Sequence, residues 1–261
     1  MPEPLIEPAD LVRRPDLPPT CYANLGKLTR AKQTAIEYCL RHRPGHVLDC
    51  PAQNVWLTEQ LVAHGITCVA ADILYPDQPI VTAEGLLTVQ SVDLNDALPF
   101  PPATFDAVIC LEGIEHCENP SLVLREFAQC LRPGGVVFLS CPNVLNIKSR
   151  LKYFLRGSFY SFPHLIGGEE SPDTHRHLTP TPYPLLEYLA TCHGMRVVER
   201  YFFGVARKYV PFLPLAGLVK GLTHLGALFV ASPNRRALQL RLVTPPLLLA
   251  DQLLLRLEKP A

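Results

Sequence analysis

The sequence lacks a net charge. Its 24 lysines and arginines balance 24 aspartates and glutamates, and charged residues make up only 18% of the 261 positions. A domain that binds nucleic acid ordinarily carries a clustered excess of basic residues, so we expect no nucleic-acid partner. The hydrophobic share of 48% is high for a soluble domain, and the length suits one large α/β domain with an extension.

The sequence also lacks closely spaced pairs of cysteines and the pattern of a signal peptide. The nine cysteines occur singly, with no C-x-x-C spacing. Single cysteines in apolar stretches make a disulfide framework or a zinc site improbable, so we expect buried, reduced thiols in a cytoplasmic protein and no metal site. The opening "MPEPLIEPADLVRRPDLPP" has no apolar stretch behind basic residues, so we expect an extended arm rather than a signal peptide.

Glycine is missing where it is most expected. The apolar run "HVLDC" ends at Asp49, and Cys50-Pro51-Ala52-Gln53-Asn54 leads into a helical pattern. A strand-to-helix turn that binds a nucleotide is usually glycine-rich, because its backbone approaches the ligand and adopts positive φ. The residues alone leave open whether this site has been rebuilt or lost.

The segments that are present alternate between strand and helix patterns. We predict strands at residues 46–50, 67–72, 86–92, 105–111 and 136–141, and helices at residues 24–40, 55–64 and 121–131. This alternation predicts an α/β fold with a mostly parallel sheet and helices on both faces. We divide the chain into an N-terminal arm and helix (1–43), the sheet domain (44–203, with a lid insertion at about 157–182) and an apolar helical tail (204–261).

Carboxylates follow three successive predicted strands. Asp72 ends "VAADI", Asp93 stands in "VDLND", and Glu112 stands in "CLEGIEH". Parallel sheets bind ligands at the carboxyl ends of their strands, so these side chains are expected near one crevice. A single acidic residue after a strand is commonly a solvated turn residue, but three in succession favour a binding site.

These stretches resemble the class I S-adenosylmethionine-dependent methyltransferases, in particular small bacterial members found with sugar, polysaccharide and quinone biosynthesis. The matching stretches span about residues 44–201, and the most specific is "LPFPPATFDAVICLEGIEH" followed by "LRPGG". The resemblance implies a Rossmann-like fold and S-adenosylmethionine as cofactor. It also implies methyl transfer, which we expect to form an O-methyl group on a glycan, glycolipid or other small metabolite.

The resemblance also implies roles for individual residues. Asp72 would bind the ribose, Asp93 the adenine amino group with Leu94 beside the ring, and Asp49 would hold the first turn. The full set of implied cofactor-binding residues is Asp49, Cys50, Gln53, Asp72, Ile73, Asp93, Leu94, Leu111 and Glu112. His116 is placed near the reacting methyl group.

The sequence departs from the family at the loop after Asp49. The family has glycines at the places of Pro51, Gln53 and Val55. A Cβ there would crowd the cofactor, and the Gln53 side chain could either fill the pocket or donate a hydrogen bond to the ligand. The alternative hypothesis is therefore a catalytically silent protein of the same fold that acts as a partner or membrane-associated scaffold.

Histidines supply candidates for a general base. A hydroxyl acceptor must lose a proton, and an imidazole with a pKa of about 6.5 suits that task at neutral pH. We predict His116 first. The lid sequence "SFPHLIGGEESPDTHRHLTP" adds a polar cluster, His164, Asp173, His175 and His177. These histidines could supply a base, hold a metal or be ordinary polar loop residues, and we select His175 as the second catalytic candidate. In this family the lid folds over the acceptor.

The tail is rich in leucine. In "YVPFLPLAGLVKGLTHLGALFVASPNRR", Leu218, Leu222, Leu225 and Phe229 recur at helical spacing between basic ends. This pattern fits a helix lying in a membrane interface, so we expect peripheral membrane contact through residues 209–257 at the cytoplasmic face. Packing on the domain or across a homodimer would explain the leucines equally well. Membrane contact would suit a lipid-linked sugar as acceptor.

Overall fold

The computed structural model of the protein describes residues 29–53, 55–73, 79–82, 85–162, 177–205 and 207–261. The predicted N-terminal arm and most of the predicted lid lie outside these residues. His164, Asp173 and His175 also lie outside them. The catalytic role of His175 therefore stays a prediction.

Eight strands within the described residues form one mixed sheet. They are β1 (Val47–Asp49), β2 (Cys68–Asp72), β3 (Pro79–Thr82), β4 (Gly85–Ser91), β5 (Phe105–Leu111), β6 (Leu131–Pro142), β7 (Arg196–Phe203) and β8 (Gln252–Glu258). Their order is β3-β4-β2-β1-β5-β6-β8-β7. The central strands β4, β2, β1, β5 and β6 are parallel. The strand order reverses between β1 and β5, so their carboxyl ends border the crevice where such sheets bind ligands.

Helices cover both faces of this sheet. They are α1 (Arg30–His42), α2 (Trp56–Ala63), α3 (Pro120–Cys130), α4 (Ile147–Arg156), α5 (Tyr183–Cys192), α6 (Leu213–Ala227), α7 (Pro233–Arg241) and α8 (Pro245–Leu249), with 3-10 turns at Ile114–His116 and Arg207–Phe212. Local chemistry explains several starts. Thr29, Asn119 and Asn146 each accept a backbone N–H with the side chain at the N-terminus of α1, α3 and α4.

The core is divided by the sheet. Phe127 of α3 and Leu186 of α5 pack on one face, and Ile36 of α1 and Leu61 of α2 pack on the other. Successive residues of β5 point alternately into the two layers, as the period of a strand requires. Both faces of the central strands are therefore buried, which explains why their sequences read as continuous apolar runs.

Each of the five predicted strands has a counterpart in the structure. The strand at Phe105–Leu111 has the predicted bounds, whereas the last of the five begins at Leu131 rather than residue 136. The two later predicted helices correspond to α2 and α3 within a residue or so at each end. The first helix begins at Arg30, later than the predicted residue 24, because Thr29 caps it.

The prediction of a wholly helical tail needs correction. Residues 204–261 hold α6, α7 and α8, but Gln252–Glu258 is strand β8, which lies between β6 and β7 inside the sheet. Leu254, Leu255 and Leu257 are fully buried there. Leucine favours helices, so the run "LLLRLE" gave no local strand signal, and sheet packing overrides the propensity. Residues 252–257 are consequently unavailable for the predicted membrane contact.

Candidate active site

The loop after β1 keeps a glycine-like backbone without glycine. Gln53 and Val55 have φ of 52° and 54°, in the left-handed region. These are two of the positions where the family has glycine. The conformation costs a residue with a Cβ roughly 1–2 kcal/mol, so surrounding contacts must hold it in place. The residue types have changed while the left-handed backbone conformation is present.

Three hydrogen bonds hold this loop on the sheet. The Gln53 backbone N–H donates to Oδ2 of Asp72 at 2.7 Å. The backbone N–H groups of Cys50 and Ala52 donate to the carbonyls of Ile109 and Ala71, each at 2.9 Å. The loop is thereby tied to β5 on one side and to β2 on the other. Val55 is fully buried among Ala52, Ala70 and Val89, which adds an apolar anchor.

Pro51 occupies the third position where glycine is expected, and it fits because the neighbouring residue 113 is a glycine. Pro51 follows Cys50 through a cis peptide bond. A Cβ added to Gly113 would lie 2.4 Å from Cδ and 2.8 Å from Cγ of Pro51. Since the proline ring is rigid, the absence of a side chain at residue 113 makes room for it. The sequence offered no signal that these two positions are neighbours.

The Gln53 side chain crosses from the loop to β5. Its Nε2 lies 3.4 Å from the Leu111 carbonyl oxygen, at the long limit for a hydrogen bond. Gln53 is half-buried. A weak contact of a flexible side chain can be exchanged for a contact with a ligand, so the amide acts as a displaceable group at the crevice.

The predicted cofactor residues on β1 and β2 differ in exposure. Asp72 is 3% exposed, and its carboxylate faces the loop, whereas Ile73 beside it is 56% exposed and offers an apolar surface. Cys50 is fully buried in the core and contributes its backbone to the loop, not its thiol. Asp49 is also buried, and its Oδ2 accepts the Thr58 hydroxyl at 2.8 Å, which fixes the start of α2 to the strand end.

The residues after β4 and β5 form the other side of the crevice. Oδ1 of Asp93 accepts the backbone and side-chain amides of Asn95 at 2.8 and 3.0 Å, and Leu94 is buried. Oε1 of Glu112 accepts the Ser140 hydroxyl at 2.9 Å and the Gln252 amide at 2.6 Å. The last two donors were not predicted, because nothing in sequence spacing places residues 140 and 252 beside Glu112.

A histidine pair lies next to this edge. The rings of His116 and His177 meet edge to face, with centroids 4.9 Å apart. The segment carrying His177 is fixed by the backbone N–H groups of Leu178 and Thr179, which donate to the Glu115 carbonyl at 2.8 and 3.1 Å. His177 belongs to the predicted histidine cluster of the lid, and the structure brings it next to His116, whereas His175 lies outside the described residues and its role stays a prediction.

Glu115 completes a small polar group with this pair. It is 1% exposed, and within the described part of the chain no hydrogen-bond partner satisfies either carboxyl oxygen or Nδ1 of His177. Ligand atoms of Glu115, His116 and His177 all lie within 4.8 Å of one another. Two imidazoles and a carboxylate can exchange protons, and they could also hold a divalent cation.

Comparisons with known proteins bear on this geometry. Residues 48–139 match the family described as "Methyltransferase domain". The chain is 30% identical over 168 residues to a ubiquinone biosynthesis O-methyltransferase of Dechloromonas aromatica (strain RCB), covering 62% of this chain and 71% of that relative. The chain belongs to the class I S-adenosylmethionine-dependent methyltransferases.

Two further comparisons agree with this family, one over a shorter stretch of sequence and one in fold alone. A protein of the same name from Xylella fastidiosa (strain M23) is 32% identical over 102 residues, a stretch that covers 37% of this methyltransferase and 42% of that relative. A solved methyltransferase from Archaeoglobus fulgidus shares the fold with a TM-score of 0.53 and 15% identity, covering 87% of this chain and 94% of that chain. The predicted Rossmann-like fold and the predicted cofactor, S-adenosylmethionine, are confirmed.

Two buried carboxyl groups of the methyltransferase have raised pKa values. Burial raises the pKa of Asp49 to about 7, against the opposing effects of the Thr58 hydrogen bond and the Lys32 charge. Burial, and then the nearby Glu112 carboxylate, raise the pKa of Glu115 well above its usual value. Both groups favour the neutral form, as expected where water is excluded.

The first prediction concerns the left-handed loop. Gln53→Gly removes the roughly 1–2 kcal/mol that the left-handed conformation costs the folded state. Glycine also makes the unfolded chain more flexible, which lowers the free energy of unfolding by about 0.5–1 kcal/mol. We expect a net gain of up to about 1 kcal/mol in the free energy of unfolding by urea titration. Val55→Gly is the matched control. It loses a fully buried side chain worth about 1.5–3 kcal/mol and should therefore destabilise the protein. A destabilised Gln53→Gly variant would contradict the assigned conformation.

The second prediction concerns Asp49. Its folded pKa of about 7 exceeds the ordinary value of 3.8, so between those pH values the folded state holds an extra proton. Stability should fall as pH rises through this window, by at most about 1.4 kcal/mol per pH unit. In urea titrations from about pH 4 to pH 7, the free energy of unfolding of Asp49→Asn should depend less on pH, by the amount that corresponds to about one bound proton. Asp96→Asn, at an exposed position, is the control. An unaltered slope in Asp49→Asn would refute the assignment.

Proposed function

We propose that this methyltransferase methylates a hydroxyl group of a small metabolite, with His116 as general base. The observation that carries the proposal is the His116–His177 pair beside buried Glu115, next to the end of β5. An O-methyltransferase needs a proton acceptor at the mouth of its cofactor crevice. A histidine is suited to this role at neutral pH.

The residues around the crevice fit the cofactor. Asp72 would accept hydrogen bonds from ribose hydroxyls, with Ile73 as an apolar surface beside it. Asp72 is held at the strand end by the loop amide, and Ile73 is 56% exposed at the rim. Leu94 would pack against the adenine, and the Gln53 amide would release Leu111 to contact the ligand.

The chemistry divides between cofactor and protein. When bound, S-adenosylmethionine supplies an activated methyl group that carries its own leaving group. The protein then has to orient the acceptor and remove one proton. The His116 imidazole takes that proton from the acceptor hydroxyl. His177 packs against the His116 ring and restricts its orientation, and buried Glu115 favours the neutral carboxyl, which lowers the negative charge beside the acceptor.

The names of the relatives support a proposal for the acceptor class. The relatives are named for ubiquinone biosynthesis, which supports a hydroxyl on a quinone-type ring. A glycan, a glycolipid or a lipid-linked sugar also offers a hydroxyl. We place the enzyme in the cytoplasm, and the buried, free thiols among the described cysteines suit that reducing compartment.

The test uses release of S-adenosylhomocysteine from the full chain with dihydroxybenzoates and with sugar acceptors. We expect turnover with a hydroxyl acceptor. His116→Asn should lower kcat by about 10²- to 10⁴-fold while cofactor affinity is retained. His177→Asn should lower kcat less.

The control is His224→Asn, an exposed histidine on α6 that should leave turnover unchanged. Wild-type turnover by His116→Asn would overturn the assignment of the base. Absence of cofactor binding by the wild-type protein would favour the silent partner or scaffold.

A further inference from the structure

Helix α6 leaves a row of large apolar side chains uncovered. Leu218, Leu222 and Leu225 are 57%, 60% and 60% exposed, and Phe229, just beyond the helix, is 89% exposed. Their spacing of three to four residues places them along one side of the helix. Monomeric soluble proteins seldom expose a contiguous row of this kind without a binding partner.

The opposite side of α6 is fixed to the domain. Ala216 and Ala227 are buried, and Val219 packs in a cluster with Tyr209 and Val243. The Arg236 guanidinium donates to the Ala227 carbonyl at 2.8 Å and so holds the end of the helix. A helix held to the domain at Ala216, Val219 and Ala227 cannot leave it to cross a bilayer without losing these contacts.

The charge around this row has one sign. Residues 207–250 contain six lysines and arginines and no aspartate or glutamate. The basic residues stand before the helix, at Lys220 within it, and after it at Arg235, Arg236 and Arg241. Lysines and arginines near an apolar helix face attract the anionic headgroups of a lipid surface, while the apolar side chains enter the boundary with the acyl chains.

We propose that the exposed face of α6 docks on an anionic lipid bilayer, with the helix lying in the plane of the interface. Residues 207–227 are long and apolar enough to span a bilayer by length and composition, yet Lys220 and the packed side argue for the interfacial orientation. Lys208 and Arg241 pair with Asp251 and Glu187, whereas Arg207, Lys220, Arg235 and Arg236 have no ion-pair partner among the described residues. A second copy of the chain would bring two sets of these four basic residues together, so charge complementarity favours lipid over a symmetric dimer.

The docked helix is connected directly to the crevice. The Tyr209 hydroxyl donates to Oδ1 of Asp251 at 2.6 Å, and Lys208 forms an ion pair with the same carboxylate. The next residue, Gln252, donates to Glu112 in the site. Membrane contact would therefore hold the crevice close to the lipid surface, where an acceptor with a long apolar part is concentrated.

Vesicle sedimentation tests this docking without reference to methyl transfer. The full chain is mixed with vesicles of phosphatidylcholine alone or with phosphatidylglycerol. We expect stronger binding to the anionic vesicles, weakened by salt. Leu222→Ser/Leu225→Ser should reduce binding about tenfold or more, because two leucines no longer enter the lipid. Leu185→Ser, an exposed leucine on α5, is the matched control and should bind as wild type.

A charge variant, Arg207→Gln/Arg235→Gln, removes one exposed basic residue before the helix and one after it, so it should bind anionic vesicles more weakly and with a smaller salt dependence. Circular dichroism of each variant checks that the fold is kept. Either of two kinds of result would overturn the proposal. One comes from the vesicles: the wild type and the Leu222→Ser/Leu225→Ser variant bind equally well, or neither of them binds. The other is a dimer in sedimentation velocity that this double variant dissociates.

Discussion

The hydrogen bond from the Gln53 backbone to the Asp72 carboxylate, 2.7 Å long, joins the loop after β1 to the end of β2. It holds Gln53 in a left-handed conformation that its side chain disfavours. The buried side chain of Val55 and the proline–glycine contact between residues 51 and 113 stabilise the same loop shape from other directions. The crevice thus owes its outline to contacts with the sheet, in a loop that has no glycine.

The same crevice is linked outward to the helical layer. Gln252 begins β8 and donates to Glu112, while Asp251 before it binds the segment that leads into α6. Because β8 lies between β6 and β7, the helices of residues 207–250 are flanked in the chain by two neighbouring strands of the sheet, β7 and β8. The segment before the exposed leucine face is therefore connected to the edge of the crevice through Tyr209, Asp251 and Gln252.

The fold was largely predictable because the central strands are apolar on both faces and the caps are local. Asp72, Asp93 and Glu112 were correctly placed at strand ends. Strand β8 was not predictable, since its leucine run carries no strand signal and its position depends on pairing with residues 131–142. Ser140 and Gln252 were missed for a related reason: they reach the site through contacts between segments far apart in sequence. The sequence raised the question whether the Gln53 side chain blocks the cofactor pocket, because a sequence shows the size of a side chain but not the backbone angle φ.

Calorimetric titration of the full chain with S-adenosylhomocysteine tests most directly whether a loop without glycine still admits the cofactor. The wild-type protein should give saturable heat with a Kd below about 1 mM, in the range typical of enzyme ligands. Asp72→Asn should bind about tenfold more weakly, since it loses charge-assisted hydrogen bonds to the ribose. No heat from the wild-type protein at about 1 mM ligand, or equal affinity of the two proteins, would show that the crevice between β1 and β5 is not the cofactor site.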